Sequence, residues 1–475
     1  MPWTMTGKAV PEDSRLPVSQ CGDTAPAAGH NQERMAGRTD MKASTRLHER
    51  NELKINIESM VRCGGSCIGC ILSADERVHG SVWPQETFDR VRPFVVAFLR
   101  HHLRSEIDFT EISVAFGQGD HLLLSPEEAE RIVRWTASLM PGRVNGFITA
   151  SVIGRRERVA RSVEAWHSAM VRHSQSLNVD LVFDPVKVGI ERFAETYAAN
   201  IACVRDAFGD FDLNINVGPD TPRAASPEQI QAFVLENGFS RLTLNLVPLP
   251  AKGGAFAERW SEILSWLSRT MKIWRAEYGY DINFCPTIAP YIEGLDDRLI
   301  EAGMPEVVSF VEERLAREIY IDGEGYVSHT QAGFGDVPLG RRMGFPTRLT
   351  VDVPEDEVPK HVATSARALG ARIAAMFLST RACAGCGYQA VCPKIGTIAL
   401  ANSLRGYLPN EGCPAGVKPL LDDIQAFMKA GHDLTCPCYR LPQVHVPRGF
   451  DPALLPHAKQ VQGGSGPLSL EGFRS

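Results

Sequence analysis

The stretch that decides the fold is KINIESMVRCGGSCIGC, residues 54–70, in which an alternating strand runs directly into three cysteines. Cys63, Cys67 and Cys70 have the spacing C-x3-C-x2-C. Three thiolates at this spacing can hold three irons of a [4Fe-4S] cluster and leave the fourth iron open to a ligand. The alternative is a zinc knuckle built on three cysteines. The spacing therefore predicts a metal centre directly after the first strand.

Composition limits the classes of protein that fit. The chain has 475 residues, of which 44% are hydrophobic, enough for a large core and a second domain. A net charge of −6 without a basic stripe argues against binding to nucleic acid. No apolar run reaches the roughly eighteen residues of a membrane helix, and the N-terminus lacks the apolar core of a signal peptide. We therefore expect a cytoplasmic protein whose partner is a small molecule or a peptide, and whose twelve cysteines serve mainly as metal ligands.

A repeating pattern of strands and helices follows a polar N-terminal segment. Residues 1–50 are rich in Pro, Ala, Gly, Ser and charge, which predicts a disordered tail. Short apolar strands are predicted at 54–60, 112–116, 146–149, 180–183, 213–217 and 242–247. Helices between them include 126–140, with Ser125 as N-cap, and 190–207. This alternation predicts an α/β fold with a parallel sheet, built as a partial (β/α)6 TIM-like barrel. Ligands of such barrels bind at the carboxyl ends of the strands.

A second motif stands where the second predicted strand ends, in the sequence FGQGDHLL of residues 116–123. Glycines there let the backbone approach a ligand, and Asp120 can accept a hydrogen bond from an ammonium group. With the cysteine triad, this segment resembles the radical S-adenosylmethionine (SAM) enzymes, whose open iron chelates the amino and carboxylate groups of SAM. The resemblance places Gln118, Gly119, Asp120 and His121 on the family's Gly-Gly-Glu-Pro motif, which contacts the SAM amino group. Taken alone, the segment would be interpreted as an ordinary βα loop, and its position one strand after the triad is what supports the SAM-binding interpretation.

Two more polar residues at strand ends are candidates for binding SAM. Asp184 ends the fourth predicted strand and Asn216 ends the fifth. The alternative for both is a turn-forming role, which is common for polar residues at strand ends. The chain departs from the family at Val182, where a serine often helps to bind SAM, and at Gly69, where an aromatic residue packs near the adenine. Other groups must then hold the adenine.

The C-terminal third holds a second group of cysteines: Cys383, Cys386, Cys392 and Cys413. Four thiolates can close the coordination of a cluster completely, and a structural zinc is the alternative. The spacing resembles the SPASM domain that follows many radical SAM barrels. The resemblance implies a second, auxiliary [4Fe-4S] cluster in an α+β iron–sulfur (SPASM-like) domain. We assign residues 51–285 to the barrel, 286–440 to the SPASM-like domain and 441–475 to a C-terminal tail.

A further cluster of that family, the inner auxiliary cluster, is predicted to be absent. The segment DGEGYVS, residues 322–328, matches the family signature Asp-Gly-x-x-Tyr-x-Cys except that Ser328 replaces the cysteine ligand. Gly396 replaces another ligand of the same cluster. His329 then stands where some family members carry an acid that accepts a proton. Because histidine titrates near neutrality, His329 is the candidate catalytic residue, and the alternative is a partly buried strand histidine.

The resemblance implies an oxidoreductase in which the reduced cluster cleaves SAM to methionine and a 5′-deoxyadenosyl radical that abstracts hydrogen from the substrate. A reductant of the flavodoxin or ferredoxin type would supply the electron. The first 50 residues are too short and too polar to form a peptide-recognition domain. We therefore expect a small-molecule biosynthetic substrate, with maturation of a ribosomally made peptide or protein side chain as the alternative. A further alternative is a non-catalytic iron–sulfur scaffold or electron carrier. Such a protein would need neither a barrel nor an open iron, so the predicted barrel and the three-cysteine motif favour an enzyme.

Overall fold

A mainly parallel sheet flanked by helices organises the chain in the computed structural model. The structure describes residues 52–64, 74–104, 109, 111–117, 119–139, 144–209, 211–237, 239, 241–246, 253–278, 283–284, 316–329, 349–379, 386, 413 and 418–429. Both predicted tails lie outside these residues. So do Cys67, Cys70, Gln118, Cys383 and Cys392.

The elements follow the predicted alternation. The strands are β1 (Glu52–Ile57), β2 (Glu111–Phe116), β3 (Asn145–Ala150), β4 (Leu177–Phe183), β5 (Asp212–Val217), β6 (Arg241–Leu246), β7 (Asn283–Phe284), β8 (Glu318–Ile321), β9 (Tyr326–Ser328) and β10 (Leu349–Thr350). The helices are α1 (Ala74–His79), α2 (Gln85–Leu103), α3 (Pro126–Leu139), α4 (Arg156–His173), α5 (Ile190–Phe208), α6 (Thr221–Ala224), α7 (Pro227–Asn237), α8 (Gly253–Tyr278), α9 (Val358–Ser379) and α10 (Lys418–Lys429). None of these described helices has the length and apolarity needed to cross a membrane.

The sheet confirms the predicted α/β class and extends it. Strands β1 to β6 lie side by side in chain order and are all parallel, with β7 next to β6. On the other side, β8 pairs in parallel with β1, and β9 and β10 continue the sheet in antiparallel fashion. Among the described strands the two edges, β7 and β10, are not paired with each other. A closed or partial barrel therefore stays a prediction, and the sheet itself continues across the proposed domain boundary near residue 286.

The two faces of this sheet differ in character. One face is apolar and buried, and the helices cover it: Phe116 contacts Trp135 of α3 with ring centroids 5.9 Å apart. Phe183 likewise contacts Phe193 of α5 at 4.4 Å and Phe233 of α7 at 5.6 Å. Along β4, buried residues alternate strictly with half-buried ones. A parallel sheet that is packed on both faces carries near-continuous apolar strands, so this alternation marks a second face that is not packed in the same way.

The start of α3 shows how local sequence sets an element. Ser125 Oγ accepts a hydrogen bond from the Glu128 amide at 3.2 Å, and Glu128 Oε2 accepts one from the Ser125 amide at 2.8 Å. This reciprocal pair is a capping box, which satisfies two amides that the helix itself cannot. The predicted N-cap is thereby confirmed, and α3 begins immediately after the turn that carries the second motif.

Candidate functional site

The cysteine loop begins at the carboxyl end of β1 and is held at its base. The Cys63 amide donates to Arg77 O at 3.0 Å, and the Val61 amide donates to Ser81 O at 3.2 Å. Met60 forms an antiparallel bridge with Val82. Cys63 is half-buried, so the first of the three predicted cluster ligands stands at the strand edge where ligands of parallel sheets bind.

Gly119 brings the second motif against this loop. The Asp120 amide donates to Arg62 O at 3.0 Å, which joins the turn after β2 to the residue before Cys63. A Cβ atom at position 119 would overlap Arg62 O and lie 3.0 Å from Met60 Cγ. Only glycine allows two backbone segments to approach this closely. The structure therefore places the two predicted SAM-binding elements in direct contact.

Asp120 is buried and already makes several hydrogen bonds. Its Oδ1 accepts from the amides of Leu122 at 3.2 Å and Ser151 at 3.4 Å, and its Oδ2 accepts from Ser151 Oγ at 2.5 Å. Burial raises the pKa of Asp120, although the bonds from Ser151 and Leu122 oppose that rise. A carboxylate offers about four acceptor positions. One position on Oδ2 is left after these bonds, which is enough for a single N–H of an ammonium group.

His121 fastens the same turn to β3. Its Nδ1 lies 3.2 Å from the Thr149 amide nitrogen and 3.1 Å from Thr149 O, and Thr149 Oγ1 donates to Gly119 O. The Trp166 indole donates to His121 O at 3.2 Å. Burial lowers the pKa of His121 to about 4, so the ring is neutral at physiological pH. Within the described part of the chain, its buried Nε2 has no hydrogen-bond partner.

Gly117 makes room for that ring. It has a φ of +126°, and a Cβ atom there would lie 2.8 Å from His121 Cε1. Sequence reasoning identified Gly119, Asp120 and His121 but missed Thr149 and Ser151, the residues at the end of β3 that hold them. Their signal was the sequence Thr-Ala-Ser, which places two hydroxyls on one face where an apolar strand ends.

Asp184 and Asn216 lie further along the edge. Asp184 follows β4 directly, and its Oδ1 accepts from the Val186 amide at 3.0 Å, which is a turn-forming bond. Asn216 is not the last residue of β5 as the sequence suggested, because the strand continues to Val217. With neighbouring strands about 4.8 Å apart, β4 and β5 lie roughly 10 and 14 Å from β2. The structure does not bring these two residues together with Asp120, and their role in SAM binding stays a prediction.

Cys386 and Cys413 of the second cysteine group both lie near Lys418. Lys418, at the start of α10, is paired with Asp422 at 2.7 Å. This hydrogen bond raises the pKa of Lys418, and the sulfurs of Cys386 and Cys413 raise it further by their proximity. Both cysteines are half-buried and pack against the core. Residues 27 positions apart in sequence thus share a neighbourhood, as ligands of one metal centre must.

The Asp-Gly-x-x-Tyr segment is a hairpin turn between β8 and β9. Asp322 Oδ1 accepts from the amides of Glu324 and Tyr326, both at 2.9 Å, and Gly325 has a φ of +81°. Arg90 of α2 donates to Glu324 O at 3.3 Å and forms an ion pair with Asp352. The turn is thereby fixed to α2.

The strand register determines where His329 lies. Ser328 pairs with Tyr320, which in turn pairs with Asn56 of β1. Tyr320 and Asn56 each stand one residue before the last residue of their strand, Ile321 and Ile57. Because β9 is antiparallel to β8, the chain beyond Ser328 heads toward the amino ends of the parallel strands. His329 is 5% exposed. This geometry favours the buried strand histidine over the catalytic interpretation, which stays a prediction.

The donor set suits the groups that the sequence motifs imply. Cys63 offers a half-buried thiol after β1, and it follows Arg62, whose carbonyl accepts from the amide of the buried Asp120. Among the described residues, no three His, Cys, Asp or Glu side chains come together as a metal site. Two ligands of each cysteine group lie outside those residues, so the described members can be placed but the complete sets cannot.

Comparison with known proteins finds similar solved structures but no similar sequence family. No protein-family model and no curated protein matches the chain. Among solved structures, native anSMEcpe with bound AdoMet (SAM) matches at a TM-score of 0.52 and 13% identity, over 80% of this chain and 99% of that one. The same protein with bound AdoMet and the Cp18Cys peptide gives 0.51 and 13%, again over 80% and 99%. Its hexahistidine-tagged form gives 0.50 and 11%, over 80% and 98%. Over four fifths of its length, the chain therefore has a fold similar to that of anSMEcpe.

Proposed function

We propose that the protein is a radical SAM enzyme that binds SAM at a [4Fe-4S] cluster held by Cys63, Cys67 and Cys70. The observation that carries this proposal is the contact between the cysteine loop and the second motif, made by the Asp120 amide on Arg62 O at 3.0 Å. A buried carboxylate beside a cluster-binding loop is suited to an ammonium group. When bound, the cluster supplies an electron that cleaves SAM to methionine and a 5′-deoxyadenosyl radical, which abstracts hydrogen from the substrate.

The chain's own residues hold and orient SAM. Asp120 accepts from the SAM amino group through its remaining acceptor position, while Ser151 and Leu122 fix the carboxylate in place. Thr149 and His121 keep the turn against β3, so that the carboxylate is positioned before SAM arrives. Preorganisation of this kind lowers the entropy cost of binding. Asp184 and Asn216, further along the edge, are proposed to contact the ribose or carboxylate of SAM.

A second [4Fe-4S] cluster is proposed at Cys383, Cys386, Cys392 and Cys413. The shared neighbourhood of Cys386 and Cys413 beside Lys418 supports it. A flavodoxin- or ferredoxin-type protein is the proposed source of electrons.

The substrate is proposed to be a small biosynthetic molecule, and peptide maturation is the second candidate. The similar structure that contains the Cp18Cys peptide favours the second. The first candidate rests on the expectation from the sequence.

Reductive cleavage of SAM tests the proposed function. Anaerobically reconstituted protein with dithionite and SAM should release 5′-deoxyadenosine, measured by chromatography, and Cys63→Ala should abolish the release. Cys203→Ala is a matched control, because this half-buried thiol lies on α5 and belongs to neither cysteine motif. Absence of 5′-deoxyadenosine from wild-type protein that contains iron and sulfide would refute the proposal.

A further inference from the structure

Four arginines form an exposed basic surface at the start of α4. The side chains of Arg155, Arg156, Arg158 and Arg161 are all exposed, and Glu157 is the one acidic residue among them. These four arginines make up the α4 arginine surface. A helix that follows a parallel strand begins at the carboxyl edge of the sheet, so this surface lies at the same edge as the cysteine loop after β1.

The arginines of this surface are not ion-paired. Within the described part of the chain, Arg158 donates to Ile153 O at 3.1 Å, and Arg161 donates to the backbone oxygen of Glu157 at 3.3 Å. The side chains of Arg155 and Arg156 have no partner among the described residues. Arginines elsewhere do form ion pairs with carboxylates: Arg90, Arg100, Arg172, Arg223, Arg259 and Arg269. The positive charges at the start of α4 therefore remain available to a negatively charged partner.

The placement of these arginines opposes the stability of their own helix. The first turn of a helix carries a partial positive charge and favours acidic side chains, as at the start of α3, which has two glutamates. In α4, Glu157 is the single acidic residue of the first turn. Arg158 is three positions from both Arg155 and Arg161, a spacing at which like charges repel. Residues that break a local rule in this way are expected at functional positions.

The α4 arginine surface lies beside the loop proposed to hold the cluster. Arg158 donates to Ile153 O, and the Ile153 amide donates to Ser151 Oγ at 3.5 Å. Ser151 Oγ donates in turn to Asp120 Oδ2. The Asp120 amide donates to Arg62 O, one residue before the first cysteine of the triad. A continuous series of hydrogen bonds thus joins this surface to the base of the cysteine loop.

We infer that the α4 arginine surface is the docking site of an acidic electron-carrier protein. The inference rests on the proposed function and names the surface at which its reductant binds. Electron transfer slows steeply with distance, so a carrier has to dock beside the cysteine loop. The chain has a net charge of −6, which repels an acidic carrier from most of its surface. A local basic surface overcomes this repulsion and orients the carrier, because complementary charge steers two proteins into contact. One electron passes from the carrier to the cluster, so the carrier is oxidised and the cluster is reduced, and no proton is transferred between them.

The test compares two reductants of the reconstituted holoenzyme without SAM. Reduction is followed by stopped-flow absorbance, either with a reduced, strongly acidic flavodoxin or with dithionite, which needs no docking surface. Arg156→Glu reverses one charge of the α4 arginine surface. The matched control is Arg104→Glu, which changes the net charge equally. Arg104 is exposed and directly follows the last residue of α2, at the amino edge of the sheet.

We expect Arg156→Glu to lower the rate constant for reduction by flavodoxin roughly tenfold at low ionic strength, and Arg155→Glu/Arg156→Glu to lower it further. The wild-type rate constant should itself fall as salt is added, since salt screens the attraction. Arg104→Glu should keep the wild-type rate constant, and dithionite should reduce all variants alike. Thermal unfolding should show Arg156→Glu to be at least as stable as the wild type, because the change places an acid in the first helical turn.

Each other result overturns the inference. Equal reduction of the wild type and Arg156→Glu by flavodoxin would exclude the surface as the docking site, and would do so even if an acidic peptide bound there instead. An equal loss in Arg104→Glu would show an effect of net charge alone. A loss with dithionite as well would show damage to the cluster site and not to docking. Wild-type protein that contains iron and sulfide but forms no 5′-deoxyadenosine with dithionite and SAM would instead refute the proposed function.

Discussion

Replacing His121 should loosen the turn that carries Asp120. The imidazole is fully buried, and its Nδ1 lies 3.2 Å from the Thr149 amide nitrogen. His121→Phe keeps a ring but removes this partner and leaves the amide buried without an acceptor. Such a loss costs about 1–3 kcal/mol. Because the bond joins the turn to β3, we expect the cost to appear as easier local opening of the turn.

The same histidine should make opening depend on pH. Burial lowers its pKa from 6.5 to about 4, so the closed turn binds fewer protons than the open turn. The stabilisation is therefore fully present above pH 6.5 and is lost as the pH falls toward 4. Between about pH 7.5 and about pH 5.5, the free energy of opening should fall by about 1.3 kcal/mol, which is roughly a tenfold larger opening constant.

Hydrogen exchange of the peptides that contain residues 117–123 and 144–151 measures this opening. The wild-type protein and His121→Phe are compared without SAM, after correction for the intrinsic exchange rates at each pH. The control is His102→Phe in α2. Burial also lowers the pKa of His102 to about 4, but its Nε2 lies beside Ala316 O, in another part of the fold. In the His102→Phe control we expect the opening of the turn to depend on pH as in the wild-type protein. In His121→Phe we expect the opening to be independent of pH. Opening that is independent of pH in the wild type, or that stays pH-dependent in His121→Phe, would refute the reasoning.

Iron and sulfide analysis of the reconstituted protein should give about eight of each per chain, and Cys63→Ala should lose about half of the iron. An iron content near twelve per chain would mean that an inner auxiliary cluster exists. Zinc bound at the second cysteine group would contradict the SPASM-like assignment. Asp120→Asn should weaken SAM binding, measured by equilibrium dialysis, by about 1.5–3 kcal/mol; unchanged affinity in a folded variant would mean that the carboxylate only shapes its turn. His329→Ala should lower thermal stability and keep turnover, since the register directs this residue away from the carboxyl edge. A loss of product formation of about 10²–10⁴-fold with both clusters intact would instead establish the catalytic interpretation of His329.

The sequence by itself determined the local features of this protein. The alternation of strands and helices predicted the parallel sheet that the structure contains. The spacing of Cys63, Cys67 and Cys70 predicted a metal centre, which stays a prediction. Ser125 was identified as an N-cap three residues before Glu128, and the capping box confirms it. These features depend on residues a few positions apart, whose geometry is fixed by the periodicity of a helix or strand. They can therefore be predicted without any tertiary contact.

The tertiary structure alone decided the contacts that build the site. Gly119 meets Arg62, and His121 meets Thr149 some 28 positions away, so neither pair shares a local signal. The Asn56 side-chain amide of β1 donates to Ile319 O of β8, which is 263 positions away, and the pairing of these two strands sets the direction in which His329 lies. Such contacts depend on which strands become neighbours. Strand order follows from packing of the whole sheet, whereas periodicity reports only which face of each strand is buried.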